Sequence, residues 1–138
     1  MSTVIRPELS DKNKYWISRQ RYYELKHFCM QYNEWKTAIS QINSYPRLST
    51  DSDYVMIGNV AKPVEKLAEL REQYLEWIQM VELAVEETDS TLYDYLLIGV
   101  TEGVSYDYLY SRLEIPCSKD TYYDRYRRFF WILDKARK

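Results

Sequence analysis

The sequence predicts an all-α protein, a helical bundle with a long central helix and a C-terminal helix-turn-helix. Apolar residues make up 46% of the 138 positions and aromatic residues 16%, with only three glycines and four prolines. This composition is typical of a compact globular protein with few tight turns, and it excludes a disordered tail or an all-β sandwich. Long stretches also place apolar residues three and four positions apart, with cap residues at their ends.

The N-terminal part, residues 1–60, is predicted to be a helical hairpin followed by a linker. A long amphipathic helix is expected over Asp11–Tyr32, opening near Ser10. Asn33 then offers a cap for a shorter helix over Glu34–Ile42. Its apolar side would comprise Trp35, Ala38, Ile39 and Ile42. The segment 43–59 is rich in Ser, Asp and Asn and contains Pro46, so we expect it to be a long loop.

Residues 61–89 are predicted to form a long amphipathic helix for packing or oligomerisation. Pro63 stands where a proline in the first turn is favoured, and Val64–Glu87 contains neither glycine nor proline. One stripe repeats as a heptad, and we call it the seam: Leu67, Leu70, Tyr74, Trp77, Val81 and Ala84, widened by Leu75, Ile78 and Val85. Two interpretations stay open. The helix packs within its own chain, or it also forms a homodimer through Leu67, Leu70, Tyr74, Trp77 and Val81.

Residues 90–138 are predicted to divide into three shorter helices. Their expected ranges are Thr91–Glu102, Tyr106–Leu113 and Lys119 to about Ala136. Gly103 stands where a left-handed residue ends a helix, and Ser105 and Ser118 stand at N-cap positions. A helix of about eight residues, a short turn and a longer basic helix are the layout of a helix-turn-helix.

In a helix-turn-helix the first helix packs against the second, and the second lies in the major groove of DNA. Apolar residues are therefore needed where the two helices touch. The sequence supplies Leu109, Leu113 and Ile115 from the first helix and turn, and Tyr122, Tyr126, Phe129 and Leu133 from the second. Trp131 lies away from this stripe, so if it is buried it must be covered by the N-terminal helices or by a second subunit.

The opposite face of the last helix carries the candidate DNA-binding residues. Lys119, Tyr123 and Arg127 recur every four residues and are our candidates for reaching bases or phosphates. Further along, phosphate contacts are expected from Arg128, Lys135, Arg137 and Lys138. Asp120 and Asp124 lie on the same face. They would repel phosphate unless each accepts a hydrogen bond from a cytosine amine or pairs with a neighbouring arginine.

The charge distribution agrees with a basic C-terminal region. Residues 65–107 contain eleven acidic and two basic residues, a balance of −9, whereas residues 108–138 have a balance of +4 and the first 64 residues +3. The net charge of −2 excludes a histone-like binder and an acidic mimic of nucleic acid. The asymmetry indicates that the C-terminal end meets an anionic partner and that the middle of the chain does not.

The stretch 103–133, GVSYDYLYSRLEIPCSKDTYYDRYRRFFWIL, resembles the C-terminal helix-turn-helix of small phage and prophage transcriptional regulators of the RinA and ArpU type. That region is itself similar to the DNA-binding fourth region of sigma factors. The matching positions are Gly103, Ser105, Leu109, Leu113, Ile115, Ser118, Thr121, Tyr122 and Arg125. The turn is longer here, because Pro116 and Cys117 intervene before the capping serine. The resemblance implies a phage or prophage protein that binds specific duplex DNA and regulates transcription. A single basic helix would bind weakly, so we expect useful affinity to need either a dimer that spans two half-sites or help from RNA polymerase.

Catalytic, metal and membrane signals are absent from the sequence. His27 and Cys29, two residues apart on a helix, point in different directions, and Cys29 and Cys117 form no CxxC motif. Gly58, Gly99 and Gly103 form no phosphate-binding fingerprint. The acidic residues Glu86, Glu87 and Asp89 at a helix end are typical of a solvated face. We therefore expect a non-enzymatic protein without cofactor or metal. The N-terminus resembles no signal peptide and no apolar run could span a bilayer, which predicts a cytoplasmic protein of a bacterial host.

Two other functions remain open at this point. The acidic surface of residues 65–107 and the many aromatic side chains would also suit a non-catalytic protein-binding or adaptor module, in which the helix-turn-helix only supports the fold. A small-terminase-like protein would instead use DNA binding in genome packaging, as an oligomeric ring.

Overall fold

The computed structural model describes residues 13–48 and 53–138, and within them the all-α fold class is confirmed. Its helices are α1 (Arg19–Cys29), α2 (Tyr32–Leu48), α3 (Leu67–Thr88), α4 (Tyr93–Glu102), α5 (Tyr106–Leu113) and α6 (Lys119–Ala136). One antiparallel hairpin, of β1 (Tyr54–Ile57) and β2 (Val60–Pro63), lies between α2 and α3. Short 3-10 turns over Val64–Lys66 and Ser90–Leu92 lead into α3 and α4.

The contacts divide the described chain into two compact units. The first contains residues 13–31 and 80–138, and the second contains residues 32–79 without the undescribed positions 49–52. This division differs from the three segments suggested by the sequence. The helix α1 is grouped with the C-terminal helices and not with α2, because α1 contacts α4 and α6.

The first helix is shorter than predicted. It begins at Arg19 because Ser18 adopts an extended backbone and its Oγ accepts a hydrogen bond from the Arg21 N–H at 3.3 Å. The residues just before it form a turn in which the side chain of Asn13 accepts the Tyr15 N–H at 2.8 Å. The predicted helical start over 13–18 is therefore wrong, and the predicted cap at Ser10 lies outside the described residues.

The first unit is held together by contacts among α1, α4, α5 and α6. The helices α4, α5 and α6 contact one another pairwise, and α1 adds contacts to α4 and α6. Fully buried side chains come from each of them: Tyr22 and Leu25 from α1, Leu96 and Val100 from α4, Leu109 from α5, and Tyr122, Phe129, Phe130 and Leu133 from α6. A cluster of large aromatic and aliphatic side chains of this size supplies most of the favourable free energy of folding.

The second unit corrects the predicted loop over 43–59. The helix α2 extends from Tyr32 to Leu48, beyond the predicted range at both ends, and Pro46 lies in its last turn. The remainder of the predicted loop contains β1 and the turn of the hairpin, with Tyr54 opposite Pro63 and Ile57 opposite Val60. Pro63 thus ends β2 and precedes the 3-10 turn, and does not occupy the first turn of an α-helix.

The hairpin turn depends on a glycine. Ile57 and Val60 are paired, so only Gly58 and Asn59 connect the strands. Gly58 has a φ of 63° at the first loop position, where a type II′ turn needs a positive φ and therefore favours glycine. The hairpin packs on the helices of its unit through one cluster: Ala38, Ile42, Ile57 and Leu67, flanked by Tyr45, Val55, Val64, Leu70 and Tyr74.

The long helix α3 is confirmed, with its start shifted from Val64 to Leu67 by the 3-10 turn. The seam is used within the chain. Leu67 is 7% exposed and Val81 is fully buried, whereas Leu70, Tyr74 and Trp77 are half-buried. Because Leu67 and Val81 are already buried within their own chain, they are not available to contact a second copy. The predicted dimer contact is therefore corrected at both positions.

Candidate nucleic-acid interface

The turn between α5 and α6 begins with an unusual residue. Glu114 has a φ of 55°, and its N–H donates to the carbonyl of Tyr110 at 3.2 Å. The next amide, of Ile115, donates to the carbonyl of Leu109 at 3.2 Å. This is the pattern in which a left-handed residue ends a helix, here without glycine. The chain turns sharply here, and the Ile115 side chain that follows is buried.

The two helices of this motif start at the predicted residues. The Oγ of Ser105 accepts the Tyr108 N–H at 3.3 Å at the start of α5, and the Oγ of Ser118 accepts the Thr121 N–H at 3.2 Å at the start of α6. Gly103, with a φ of 69°, ends α4 as expected. The predicted bounds of α5 and α6 are therefore confirmed.

Tyr106 fixes the longer turn in place. Its hydroxyl donates to the carbonyl of Cys117 at 2.5 Å, and its N–H donates to the hydroxyl of Tyr123 at 3.3 Å. The first residue of α5 is thereby tied both to the end of the turn and to the first half of α6. These two hydrogen bonds hold the register of α6 relative to α5 despite the additional Pro116 and Cys117.

Most of the predicted inner contacts are confirmed. Burial is nearly complete for Leu109, Ile115, Tyr122, Phe129 and Leu133, while Tyr126 packs against Tyr22 and Phe130. The prediction for Leu113 is wrong, because its side chain is 37% exposed. The helix α5 ends at Leu113, and the turn at Glu114 brings Ile115 into the inner position. Phe130, which is fully buried, was not predicted because it lies beside the apolar stripe of α6 and is covered by Tyr22 of α1.

The candidate residues in the first half of α6 are all half-buried and differ in what they contact. Lys119, Arg127 and Arg128 are half-buried. The Nε of Arg127 is buried and has no hydrogen-bond partner among the described residues, and Arg128 reaches the Glu87 carbonyl at 3.4 Å. Tyr123 is packed edge-on against Tyr122, and its hydroxyl is already engaged by the Tyr106 N–H. Tyr123 therefore has a structural role at the junction of α5 and α6, which the sequence did not predict.

The candidate residues at the C-terminal end of α6 contact aromatic rings. The Nζ of Lys135 lies 3.0 Å from the centre of the Trp131 ring, and the guanidinium of Arg137 lies 3.8 Å from that of Phe28. Trp131 in turn packs against Tyr15 at a centroid distance of 5.5 Å, so the N-terminal segment covers it, one of the two expected arrangements. Lys138 is exposed.

The end of α6 is anchored by one residue of α1. The Nε of Arg21 donates to the carboxylate of Asp134 at 2.6 Å, and its Nη2 reaches the carbonyl of Asp134 at 3.2 Å as well as that of Arg137. The positive charge of a guanidinium beside the last carbonyls of a helix also interacts favourably with the negative end of the helix dipole. Arg21 thereby fixes α6, which carries five of the seven candidate residues, and the other two, Arg137 and Lys138, directly follow this helix.

The two acidic residues on the outer face of α6 are in different situations. Asp120 is exposed and forms no ion pair with any described residue. Asp124 pairs with Arg125, and the Nε of Arg125 donates to Asp89 at 3.0 Å. Although burial acts in the opposite direction, hydrogen bonds from Thr91, Arg125 and two backbone amides lower the pKa of Asp89. Sequence reasoning missed this cluster, because Asp89 and Arg125 are 36 residues apart.

Buried tyrosines connect α6 to α1 and α4. The hydroxyls of Tyr22 and Tyr126 are 2.6 Å apart and share a hydrogen bond. The Tyr122 hydroxyl is buried beside Gly99 of α4 and has no hydrogen-bond partner among the described residues. Burial raises the pKa of Tyr122 and of Tyr126, so both stay protonated and neutral.

The described residues offer no metal centre, since no group of three His, Cys, Asp or Glu side chains comes together among them. Burial raises the pKa of the Cys29 thiol, which disfavours the reactive thiolate. His27 is exposed while Cys29 is fully buried, so the two side chains do not form a pair.

Comparison of the chain with models of known protein families, with curated proteins and with solved structures finds no match. In the part of the chain that the structure describes, no helix combines the length and the apolar character needed to cross a membrane.

Proposed function

We propose that the protein is a sequence-specific duplex DNA-binding protein, non-catalytic and phage- or prophage-encoded, that acts in transcriptional regulation. The observation that carries this proposal is the pairwise packing of α4, α5 and α6, with a left-handed Glu114 in the turn between α5 and α6. Three helices in this arrangement are the core of a helix-turn-helix, in which the last helix enters the major groove. The resemblance of residues 103–133 to phage regulators supports the same conclusion.

In this proposal, α6 is the recognition helix. Lys119, Arg127 and Arg128 supply base or phosphate contacts from its first half, and the half-buried Tyr123 is a further candidate contact. The cations Lys135, Arg137 and Lys138 meet phosphates further along the duplex. Since α6 is half-buried along most of its length, the contact area is small and affinity for a single site is weak. Useful affinity then needs a homodimer on two half-sites or the help of RNA polymerase.

The proposal is tested by fluorescence anisotropy with labelled random duplex, followed by selection of preferred sites from a random library. Salt is varied from about 50 to 200 mM, because each phosphate contact contributes roughly 0.9 to the slope of log affinity against log salt. In the Lys119→Ala/Arg127→Ala/Arg128→Ala variant the slope should be shallower by the contribution of roughly three phosphate contacts. The control is Lys66→Ala, an exposed lysine that lies in the other unit and should leave binding unchanged.

Two results would refute the proposal. One is a wild-type chain that binds no duplex at the lowest salt, and the other is a triple variant with an unchanged slope. A ring of many subunits in a mass measurement, with DNA binding intact, would redirect the function towards genome packaging.

A protein-binding or adaptor module is the second candidate, and one observation favours it. The outer side of α5 exposes large side chains, with Tyr108 at 46%, Tyr110 at 63% and Leu113 at 37%. Aromatic residues at this density are typical of the centre of protein interfaces. If the wild-type chain does not bind duplex DNA, alanine substitution of Tyr108 and Tyr110 should abolish its binding to a protein partner. The melting temperature of the variant should equal that of the wild-type chain.

A further inference from the structure

We infer that Arg125 is a positioning residue of the proposed DNA-binding face, which holds and neutralises the Asp124 carboxylate so that phosphate meets an ion pair instead of a bare acid. The inference rests on the proposed function of α6. It starts from the two acidic side chains that α6 places on the face with Arg127 and Arg128, where an unpaired carboxylate would repel phosphate.

The position of Arg125 depends on Asp89, at the start of the 3-10 turn before α4. Its Oδ1 accepts the N–H of Thr91 at 3.0 Å, the hydroxyl of Thr91 at 2.6 Å and the N–H of Leu92 at 3.2 Å. Three donors fix this oxygen, so the position of the carboxylate is determined by the backbone of the turn. The second oxygen, Oδ2, is left to accept the Nε of Arg125 at 3.0 Å.

Arg125 then bridges two carboxylates. Its Nε is held by Asp89, and its Nη1 donates to Asp124, the next residue before it on α6. The side chain of Asp89 is only 17% exposed, against 34% for Arg125 and 38% for Asp124, so the pair with Asp89 is the better shielded from solvent. A guanidinium fixed at its inner end presents its outer end to Asp124 in a set position.

Asp120 provides an internal comparison. It lies one helical turn before Asp124 on the same face of α6, is exposed, and forms no ion pair with the described residues. If pairing with Arg125 neutralises Asp124, the two aspartates must differ in their effect on DNA affinity although both are carboxylates on the same face of α6. Removal of the charge at 120 should matter, and removal of the charge at 124 should not.

The first experiment measures the affinity of the full chain for one duplex at about 50 mM salt, with neutral variants that keep Arg125 in place. Asp120→Asn should bind about three-fold or more tightly than wild type, whereas Asp124→Asn should stay within about two-fold. Both substitutions are on the surface, so the comparison does not depend on a destabilised variant. Equal tightening by Asp124→Asn and Asp120→Asn would overturn the inference.

The second experiment is a double-mutant cycle between positions 124 and 125. Arg125→Gln should weaken binding about three- to ten-fold, and adding Asp124→Asn should return affinity to within about two-fold of wild type. Adding Asp120→Asn to Arg125→Gln should give only the same factor that it gives in wild type. The melting temperature should fall in Arg125→Gln and stay low in the Asp124→Asn/Arg125→Gln variant, because the bond to Asp89 is still missing.

The outcomes separate the two claims. A wild-type chain that binds no duplex removes the proposed function, and the inference with it, before any variant is compared. A wild-type chain that binds duplex, combined with an Asp124→Asn/Arg125→Gln variant as weak as Arg125→Gln, keeps the proposed function and overturns the inference. In that case Arg125 contacts the phosphate itself.

Discussion

The contact between α4 and α6 leads to a prediction about Gly99. A Cβ added at this position would lie 2.0 Å from the hydroxyl oxygen of Tyr122 and 3.2 Å from its Cζ. The first distance is roughly 1.4 Å short of the 3.4 Å at which ordinary contact begins. Tyr122 is 1% exposed and therefore has little room to move away. Gly99→Ala should force α4 and α6 apart or drive the tyrosine ring into its neighbours.

The size of the effect follows from two opposing contributions. Overpacking of a dense core costs about 1–3 kcal/mol, and replacing glycine by alanine inside a helix returns about 1 kcal/mol. The difference between them is about 0–2 kcal/mol, and because the 2.0 Å approach is severe, we expect Gly99→Ala to lower the free energy of unfolding by about 1–2 kcal/mol. Tyr122→Phe removes the clashing oxygen, which is buried without a hydrogen-bond partner in the described structure, and should change stability by no more than about 1 kcal/mol, in the favourable direction.

The assay is urea unfolding followed by circular dichroism for wild type, Gly99→Ala, Tyr122→Phe and the double variant. The double variant should be at least as stable as wild type, which corresponds to a coupling of about 2 kcal/mol between the two positions. Tyr126→Phe is the matched control. It removes another buried hydroxyl of α6, but one that is bonded to Tyr22 at 2.6 Å and is not among the atoms nearest to a Cβ at Gly99. Gly99→Ala and Tyr126→Phe should therefore combine additively.

The reasoning would be refuted by a Gly99→Ala variant as stable as wild type. Equal rescue by Tyr122→Phe and Tyr126→Phe would also refute it, because the effect would then not depend on the oxygen beside Gly99.

Two further predictions concern the ends of α4. Gly103→Ala should destabilise the protein by about 1 kcal/mol in thermal unfolding, because its φ of 69° is unfavourable for a residue with a Cβ, while Gly103→Asn should cost less. The lowered pKa of Asp89 means that its contribution to stability is present above the ordinary value of 3.8 and is lost as pH falls through the still lower pKa of the folded state. The stability difference between wild type and Asp89→Asn, measured by urea unfolding from about pH 6 down to about pH 2, should shrink towards the acid end, and a constant difference would contradict this assignment.

Local signals made the C-terminal helices predictable from sequence. Ser105, Ser118 and Gly103 determine where helices begin and end through hydrogen bonds to residues three or four positions away. Such contacts depend on a few neighbouring residues, so the pattern alone is sufficient. The apolar stripe of α6 was predictable for the same reason, since its period is a property of the helix itself.

Features that depend on distant residues were not predictable. The hairpin of β1 and β2 is only four residues long on each strand, and its pairing is stabilised by the cluster with α2 and α3 and not by a strong strand pattern. Tyr123 was assigned to DNA because its position on α6 is correct for it, but its hydroxyl bonds the start of α5. The ion pair of Arg125 with Asp89 carries no local signal, because it joins positions that only the fold brings together.

The bonds of Arg21 to the end of α6 have a consequence for how the chain folds during synthesis. Its partners Asp134 and Arg137 follow it by 113 and 116 positions, so α1 leaves the ribosome long before the helix that it must hold. During synthesis the apolar side of α1, with Tyr22, Leu25 and Phe28, has no final partner and is open to chaperones or to wrong associations. A fragment that begins after α1 would lack the bonds from Arg21 to α6. An isolated C-terminal fragment is therefore a poor substitute for the whole chain in binding studies.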